Sequence, residues 1–418
     1  MNNLKYLNLN YTSLLISSII FLLISGSFFP DLVVSISSLF FLYHVFKIKD
    51  YFYFNNTPLI IFFLFCLVCI FCSLFADDIL FSLKSSLFYF RVGIFSCLIW
   101  YLIDKDKNIL NYFYYFLIIC FSGLIIDGYY QFFNEENIFG FKKNNMRLSS
   151  FFGDELILGS YLSRLFPLLF ALFLVKNKKK HEIYFIGLLF ILTDVLIFMS
   201  GERTSFFFLN LSTIFIIILI KEYQKFRLKT FIIAIICILI VSLNSSSITN
   251  RMITTPAKNM GLIKNSVAPT IFTPMHDSHI RTAYKMFLDK PFIGHGPKMF
   301  RVKCSDTKYA VGKWHCSTHP HNFYVQLLAE TGIVGFIFLF GVFCYVIYCT
   351  YRQLKSITLK QKRYLTDYQV CLLAGILISV WPFSPNGNFF NNWLSIIYTL
   401  PVGFYLHSFY FKNKKLVS

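Results

Sequence analysis

Two histidines precede an apolar run in the segment STHPHNFYVQLLAETGIVGF, residues 317–336. Pro320 separates His319 from His321 and disfavours helix at the residue before it, so a turn should lead into a helix that begins near Asn322. A neutral imidazole at that position can accept a proton near neutral pH. We interpret His321 as a candidate general base; the alternative is an interfacial histidine with no chemical role.

Two arginines are candidates for binding an anion. Arg203, in MSGERTSFFFLN, stands between two apolar segments, where an arginine normally faces a cavity or a partner. Its planar guanidinium matches phosphate oxygens two at a time, although Glu202 could simply pair with it. Arg281 begins an amphipathic pattern typical of a helix on the outer bilayer surface, and an arginine that only snorkels is the alternative there. Arg91 and Arg164 interrupt apolar segments and could either line a cavity or pair within a helix bundle.

Cysteines and histidines could together hold a metal ion. Cys304 and Cys316 lie near His315, His319 and His321, but the spacing matches no structural zinc pattern and no carboxylate accompanies it. The other nine of the eleven cysteines fall in apolar segments, where cysteine behaves as a small hydrophobic residue. Since the remaining two occupy polar sequence, they should form a disulfide if their compartment is oxidising.

The chain that must position these residues has the composition of a membrane protein. It is 56% hydrophobic and 14% charged, whereas soluble domains carry about a quarter charged residues. The net charge of +19 does not indicate a nucleic-acid partner, because no basic soluble face interleaved with aromatic residues accompanies it. Apolar runs of about 20 residues predict an all-α integral membrane protein of about 12 transmembrane helices. We place them roughly at 12–28, 31–46, 58–75, 86–103, 109–132, 155–175, 182–199, 204–220, 230–244, 332–350, 367–383 and 390–411.

The polar connectors alternate in charge along the chain. Short basic connectors such as KIKD and KNKKKHE alternate with short or acidic-leaning ones and with one long loop. Because basic short loops face the cytoplasm, both termini should be cytoplasmic and the long loop extracytoplasmic. We therefore divide the chain into transmembrane helices 1–9 in residues 1–244, a large loop containing short helices in residues 245–331, and transmembrane helices 10–12 in residues 332–418. Six of the nine histidines lie in that loop, and loops of this length are usually functional.

Four segments, in order, resemble the O-antigen ligase and O-antigen polymerase superfamily. His321 and Asn322, followed after nine intervening residues by GIVG (332–335), are similar to its H-[NSQ]-x9-G-x-x-G signature. SGERTSFF (200–207) resembles its arginine-bearing outer loop. IRTAYKMFLDKPFIGHGPKMF (280–300) resembles part of its large periplasmic loop, and IDGYYQFF with GFKKNNMRLSSFFGDE (126–133 and 140–155) its mid-chain pattern. The resemblance covers roughly residues 110–340.

The resemblance implies a bacterial inner-membrane glycosyltransferase of the C type that uses no metal or other cofactor. Such an enzyme moves a glycan from undecaprenyl diphosphate to an acceptor hydroxyl, so the expected partners are the lipid-linked donor, lipid A–core as acceptor, and membrane lipids. It implies that Arg203 and Arg281 bind the diphosphate and that His321 is catalytic. Arg147 matches a further recurring arginine. We group Arg147 with His319 and Asn322 as predicted substrate-binding residues.

The single dominant periplasmic loop favours an O-antigen ligase, because it carries Arg281 and His321 together. An O-antigen polymerase is the main alternative, since the loop at 133–154 adds Lys142, Lys143 and Arg147. A protein O-oligosaccharyltransferase of the same superfamily is a further alternative. A transporter would also fit twelve membrane spans, but it should show inverted repeats and helix breaks at the bilayer midplane.

Overall fold

The computed structural model describes residues 9–144, 147–176, 179–261, 263 and 272–410. Within these residues the chain is a bundle of α-helices, and the β-structure described consists of two isolated bridges. Among the described residues, eight helices are long and apolar enough to cross a membrane, and three shorter apolar helices accompany them. The protein is thus an all-α integral membrane protein, as the sequence predicts, while the count of twelve membrane-crossing helices stays a prediction.

Each of the twelve predicted apolar segments is helical over most of its described residues. The bundle helices are α1 (Leu9–Ser17) with α2 (Ile19–Leu22), α3 (Phe28–Ile48), α4 (Thr57–Leu74), α5 (Ile79–Ser86) with α6 (Phe90–Lys105), α7 (Ile109–Asn134), α8 (Leu158–Val175), α9 (Lys180–Met199), α10 (Arg203–Leu219), α11 (Gln224–Asn244), α16 (Phe323–Thr358), α17 (Asp367–Ser379) and α18 (Asn392–Tyr410). Shorter helices in the long loop are α12 (Ser246–Thr249), α13 (Thr255–Asn259), α14 (Pro274–Asp289) and α15 (Phe300–Lys303), with a π-helical turn at Asn250–Thr254.

Polar residues at the helix starts explain several boundaries. The Asn56 carboxamide accepts the Leu59 N–H at 3.0 Å, and Pro58 occupies the first turn of α4. Thr366 and Gln369 form a capping box at the start of α17. These groups satisfy N–H donors that a helix leaves unpaired in its first turn. Asparagine or threonine before an apolar run therefore sets where the run becomes helix.

The connectors gather at two ends of the bundle. At one, which we call the basic end, the Tyr53 hydroxyl donates to Asp104 (3.0 Å) and the Asp367 carboxylate accepts the backbone N–H groups of Lys221 and Glu222. The described residues of the long loop and the connectors at 76–78, 135–144, 147–157 and 200–202 lie together at the opposite end, which we call the loop end. This grouping is the one that alternating basic and non-basic connectors require.

The long loop carries a small apolar core of its own. Ala283 and Met286 of α14 pack with Phe300 of α15 and with Ala329, in the first turns of α16. α16 is then bent at Gly332, where φ is 64° and ψ is −165°. Before the bend, Ala329 packs with the core of the loop, whereas Phe323 and Leu327 pack into the main core of the bundle. Residues after the bend form the apolar span.

Candidate active site

His321 lies in the turn before α16, and neighbouring segments hold it on two sides. Its backbone is in the left-handed region, with φ 57°. Its carbonyl oxygen accepts the Asn386 N–H at 2.8 Å, and its Nε2 lies 3.3 Å from the Ser317 hydroxyl. The next residue, Asn322, was predicted to bind substrate but here caps α16: its Oδ1 accepts backbone N–H groups at 3.0 and 3.1 Å, and its Nδ2 donates to a carbonyl at 2.7 Å. Asn322 therefore positions the helix that follows His321.

Three further imidazoles surround His321. Its ring centroid lies 4.1 Å from that of His319, 5.2 Å from that of His276 and 5.3 Å from that of His279. α14 supplies the last two, since residues three apart share one face of a helix. We call these four residues the histidine cluster.

The histidine cluster is neutral at neutral pH. Burial, together with a smaller effect of the three neighbouring imidazoles, lowers the pKa of His321 to about 3. Burial likewise lowers the pKa of His319 to about 4 and lowers the pKa values of His276 and His279. A neutral imidazole has one ring nitrogen free to accept a proton. His321 is therefore in the protonation state that a general base needs.

An arginine cluster lies beside the histidines. The Nε of Arg203 donates to the carbonyl of Arg251 at 2.8 Å, and the Nε of Arg251 donates to the carbonyl of Gly201 at 3.0 Å. Arg147 lies close to both residues. Burial lowers the pKa values of Arg203 and Arg251, and the nearby charge of Arg147 lowers them as well. Guanidinium groups stay charged in proteins. Arg147, Arg203 and Arg251, the arginine cluster, therefore concentrate positive charge at one point of the loop end.

Glu202 does not pair with Arg203 in the structure. Its carboxylate accepts the backbone N–H groups of Gly159 (2.7 Å) and Ser160 (3.0 Å) and the Ser205 hydroxyl (3.0 Å). Burial raises the pKa of Glu202, while the charge of Arg147 opposes that shift. One carboxylate at the N-terminus of α8 thus sits among three arginines, which leaves excess positive charge for an anion.

His276 connects the two clusters. Its ring contacts that of His321. Burial lowers the pKa of His276 most, and the nearby His279 and the charge of Arg203 lower it as well. The structure therefore brings Arg147, Arg203 and His321, three residues predicted from the sequence, to one region.

Arg281 is not brought to this region. Its Nε forms an ion pair with Asp277 at 2.7 Å, and its side chain is 66% exposed. Two residues correspond to about 200° around an α-helix, so Arg281 points away from the face of α14 that carries His279.

The mid-chain pattern shapes the loop that carries Arg147. Asp127 accepts the Ser150 hydroxyl at 2.6 Å, and Gln131 accepts the Ser150 N–H at 2.8 Å. The residue after Arg147 donates its N–H to the carbonyl of Ser200 at 3.3 Å. These bonds hold the loop against the segment that precedes Arg203.

The glycine signature serves a close backbone contact. A Cβ at Gly332 would lie 2.2 Å from the carbonyl oxygen of Phe292. The bend at Gly332 instead lets the segment at 291–296 pair with α16 through backbone hydrogen bonds. The Ile333 N–H donates to the carbonyl of Pro291 at 2.8 Å, and the His295 N–H donates to the carbonyl of Ala329 at 3.0 Å. The bend therefore fixes the long loop to the helix that follows His321.

Cys304 and Cys316 are joined by a disulfide, with their Cα atoms 4.8 Å apart. That separation lies within the range that a disulfide spans. The bond closes the segment just before Ser317 and so restrains the turn that carries His321. It also rules out the alternative metal site that would use both thiols. Among the described residues, no group of three or more His, Cys, Asp or Glu is arranged to hold a metal ion.

Sequence reasoning missed Arg251, His276 and His279 as members of the site. The two histidines share one face of the amphipathic pattern that Arg281 was assigned to, and this spacing was a usable signal. Arg251 gave no signal, because NRMITTP resembles any polar loop segment. Arg251 belongs to the site only because the start of the long loop packs against the segment that precedes α10.

The fold and site together define a multi-pass membrane protein in which a neutral histidine cluster adjoins an arginine cluster at one end of a helical bundle. Residues 186–340 match the family model described as O-antigen ligase. This match confirms the resemblance drawn from the sequence motifs, and it extends from within α9 to a point beyond the bend in α16. No curated protein matches the chain.

Proposed function

We propose that this protein is an O-antigen ligase-type glycosyltransferase of the bacterial inner membrane. It moves a glycan from undecaprenyl diphosphate to a sugar hydroxyl of lipid A–core, with both termini in the cytoplasm and the loop end in the periplasm. The observation that carries the proposal is the contact of His276 with His321 on one side and its electrostatic interaction with Arg203 on the other. This arrangement supports the proposal that His321 accepts a proton close to the bound diphosphate.

The chemistry divides between the two clusters. The acceptor hydroxyl oxygen attacks C1 of the donor sugar, its proton passes to His321, and the bond from C1 to the phosphate oxygen breaks. The diphosphate leaves with the bonding electron pair, so negative charge grows on it in the transition state. Arg147, Arg203 and Arg251 stabilise that charge. The donor's own negative charge also raises the proton affinity of His321 in the complex, because an opposite charge favours the imidazolium.

Two predicted substrate-binding residues have distinct places in this proposal. Arg147 belongs to the diphosphate site, and His319 packs against His321 and restricts its ring orientation. Arg281 would take part only if α14 turns or shifts when the donor binds.

A polymerase of the same family is the second candidate. The sequence argument for a polymerase is a second basic loop. Lys143 of that loop pairs with Glu135 at 2.7 Å, and Arg147 belongs to the same cluster as Arg203. The loop therefore adds to one site instead of forming another, which favours the ligase.

The surface polysaccharide of a deletion strain tests the proposal. If the protein is a ligase, polymer disappears from lipopolysaccharide and accumulates on its lipid carrier. A single repeat unit capping the core would assign the protein as a polymerase instead.

A further inference from the structure

Arg164 is a buried cation in α8 that the site described so far does not use. Its residue is 5% exposed. Its Nη1 donates to the Ser160 hydroxyl at 2.8 Å, and its Nη2 lies 3.2 Å from the Tyr398 hydroxyl and 3.5 Å from Oδ1 of Asn386. The guanidinium also faces the ring of Phe208, 5.0 Å from its centroid. All of these partners are neutral.

Two other arginines in the bundle differ from Arg164 in this respect. Arg91 pairs with Asp31 at 2.6 Å, and the fully buried Arg227 binds both oxygens of Asp194 at 2.9 and 3.1 Å. Within the part of the chain that the structure describes, no carboxylate lies within ion-pair distance of Arg164, and its Nε has no hydrogen-bond partner. A buried charge without a counterion is costly, and in membrane bundles such a residue typically marks a functional site.

The neighbours of Arg164 place it between the two clusters. Ser160, which accepts from Arg164, donates its backbone N–H to Glu202 at 3.0 Å. Asn386, on the other side, donates its backbone N–H to the carbonyl of His321 at 2.8 Å. Helical side chains lean towards the N-terminus of their helix, and α8 begins at the loop end. The guanidinium therefore reaches from within the bundle towards the site.

We propose that Arg164 is a further anion-binding residue of the active site and that its guanidinium contacts a phosphate of the lipid-linked donor. The inference rests on the proposed function. A phosphate carried on a lipid approaches from the bilayer, and Arg164 lies on a helix that is long and apolar enough to cross it. The phosphate supplies the counter-charge that the protein side chains around Arg164 lack. The phosphate of an ordinary anionic phospholipid has the same chemistry, so the test must separate the two sources.

The test compares ligand affinity and thermal stability of the purified full chain in a non-ionic detergent. Farnesyl diphosphate serves as the probe, with farnesol and phosphatidylglycerol as comparison ligands. We expect Arg164→Gln to weaken farnesyl diphosphate binding at least tenfold while leaving farnesol binding unchanged, and Arg164→Lys to restore part of the affinity. Since the substitution removes an uncompensated buried charge, the melting temperature without ligand should stay the same or rise.

Arg227→Gln is the matched control. It leaves Asp194 buried without a partner, so the melting temperature should fall, yet the affinity of the folded protein for farnesyl diphosphate should hold. Unchanged diphosphate affinity in folded Arg164→Gln protein would overturn the inference, as would a loss of phosphatidylglycerol binding alone. If Arg203→Gln weakens diphosphate binding and Arg164→Gln does not, this inference fails and the proposed function stands. If the wild-type protein binds no farnesyl diphosphate, both fail.

Discussion

His321 shares its surroundings with three imidazoles whose pKa values are all lowered by burial. A histidine with a lowered pKa binds its proton more weakly in the folded state than in the unfolded chain, whose histidines titrate near 6.5. The stability of the fold should therefore decline as pH falls below about 6.5. We expect the melting temperature to drop between pH 7 and pH 5.

The variant His279→Asn should reduce that drop, because it removes one buried imidazole. His181→Asn, at an exposed position on α9, is the control and should leave the drop unchanged. A melting temperature that is flat over this range, or equal responses of the two variants, would contradict the account of a buried neutral cluster.

Arg251 and Arg281 provide a comparison between the structure and the sequence motifs. We expect Arg251→Gln to weaken donor binding by roughly ten- to a hundredfold, since a hydrogen bond to a charged group contributes about 1.5–3 kcal/mol. Arg281→Gln should cost less, because that side chain is exposed and paired with Asp277. Titration of both purified variants with a prenyl diphosphate checks this. The reverse order would show that α14 rearranges to bring Arg281 to the donor.

At this scale the sequence singled out some residues of the site and missed others for physical reasons. His321 and Arg203 could be singled out because proton acceptors and cations are conspicuous beside apolar segments. Asn322 caps α16 in the structure, and its role in substrate binding stays a prediction, since one amide can bind a ligand or cap a helix equally well in a sequence. Arg251 could not be singled out from the sequence, because an arginine in a polar segment does not indicate which backbone groups its side chain will contact.

Among the elements, the bend in α16 makes the sharpest prediction. Gly332→Ala would force a side chain into a backbone conformation that is essentially restricted to glycine, at a cost of about 1–3 kcal/mol, and its Cβ would overlap the carbonyl of Phe292. We expect a lower melting temperature and loss of transfer activity.

Gly341→Ala is the control within the same helix. A Cβ at Gly341 meets nothing within 4 Å, and alanine favours helix more than glycine does. That variant should be as stable as the wild type or more so. If both variants behave alike, the bend does not hold the long loop in place.

Apolar length predicted the helices well, and the start of α16 near Asn322 is confirmed. The pairing of the segment at 291–296 with the bend could not be foreseen. It joins two segments through backbone groups, which every residue possesses. The glycines indicated that backbones approach closely but not which backbone approaches.

At the scale of the whole molecule, the orientation in the membrane remains a prediction from charge. A membrane-impermeant maleimide should label a Trp314→Cys variant in intact cells, because this exposed residue lies in the long loop. A Lys360→Cys variant, at the basic end, should react only after permeabilisation. Labelling of position 360 but not 314 in intact cells would place the site on the cytoplasmic side, away from the externally presented donor.

The meeting of the two clusters is the feature that sequence reasoning could least supply. Arg147 and His321 are separated in the sequence by helices α8–α11 and by the long loop, and their proximity depends on how α8, α10 and α14 pack. Hydropathy fixes which segments become helices, since it depends on each segment alone. It does not determine which faces of those helices meet.

The central claim is that His321 acts on the acceptor while the arginines hold the donor. The most direct test is to measure donor binding and glycan transfer in purified His321→Ala and Arg203→Ala variants with lipid-linked donor and lipid A–core. A general base contributes typically 10²–10⁴-fold in rate, so His321→Ala should lose transfer by that factor and keep donor affinity nearly intact. Arg203→Ala should weaken both, because its charge meets the diphosphate before and during bond cleavage. Transfer that survives in His321→Ala, or donor binding lost to the same extent in both variants, would contradict this division of roles.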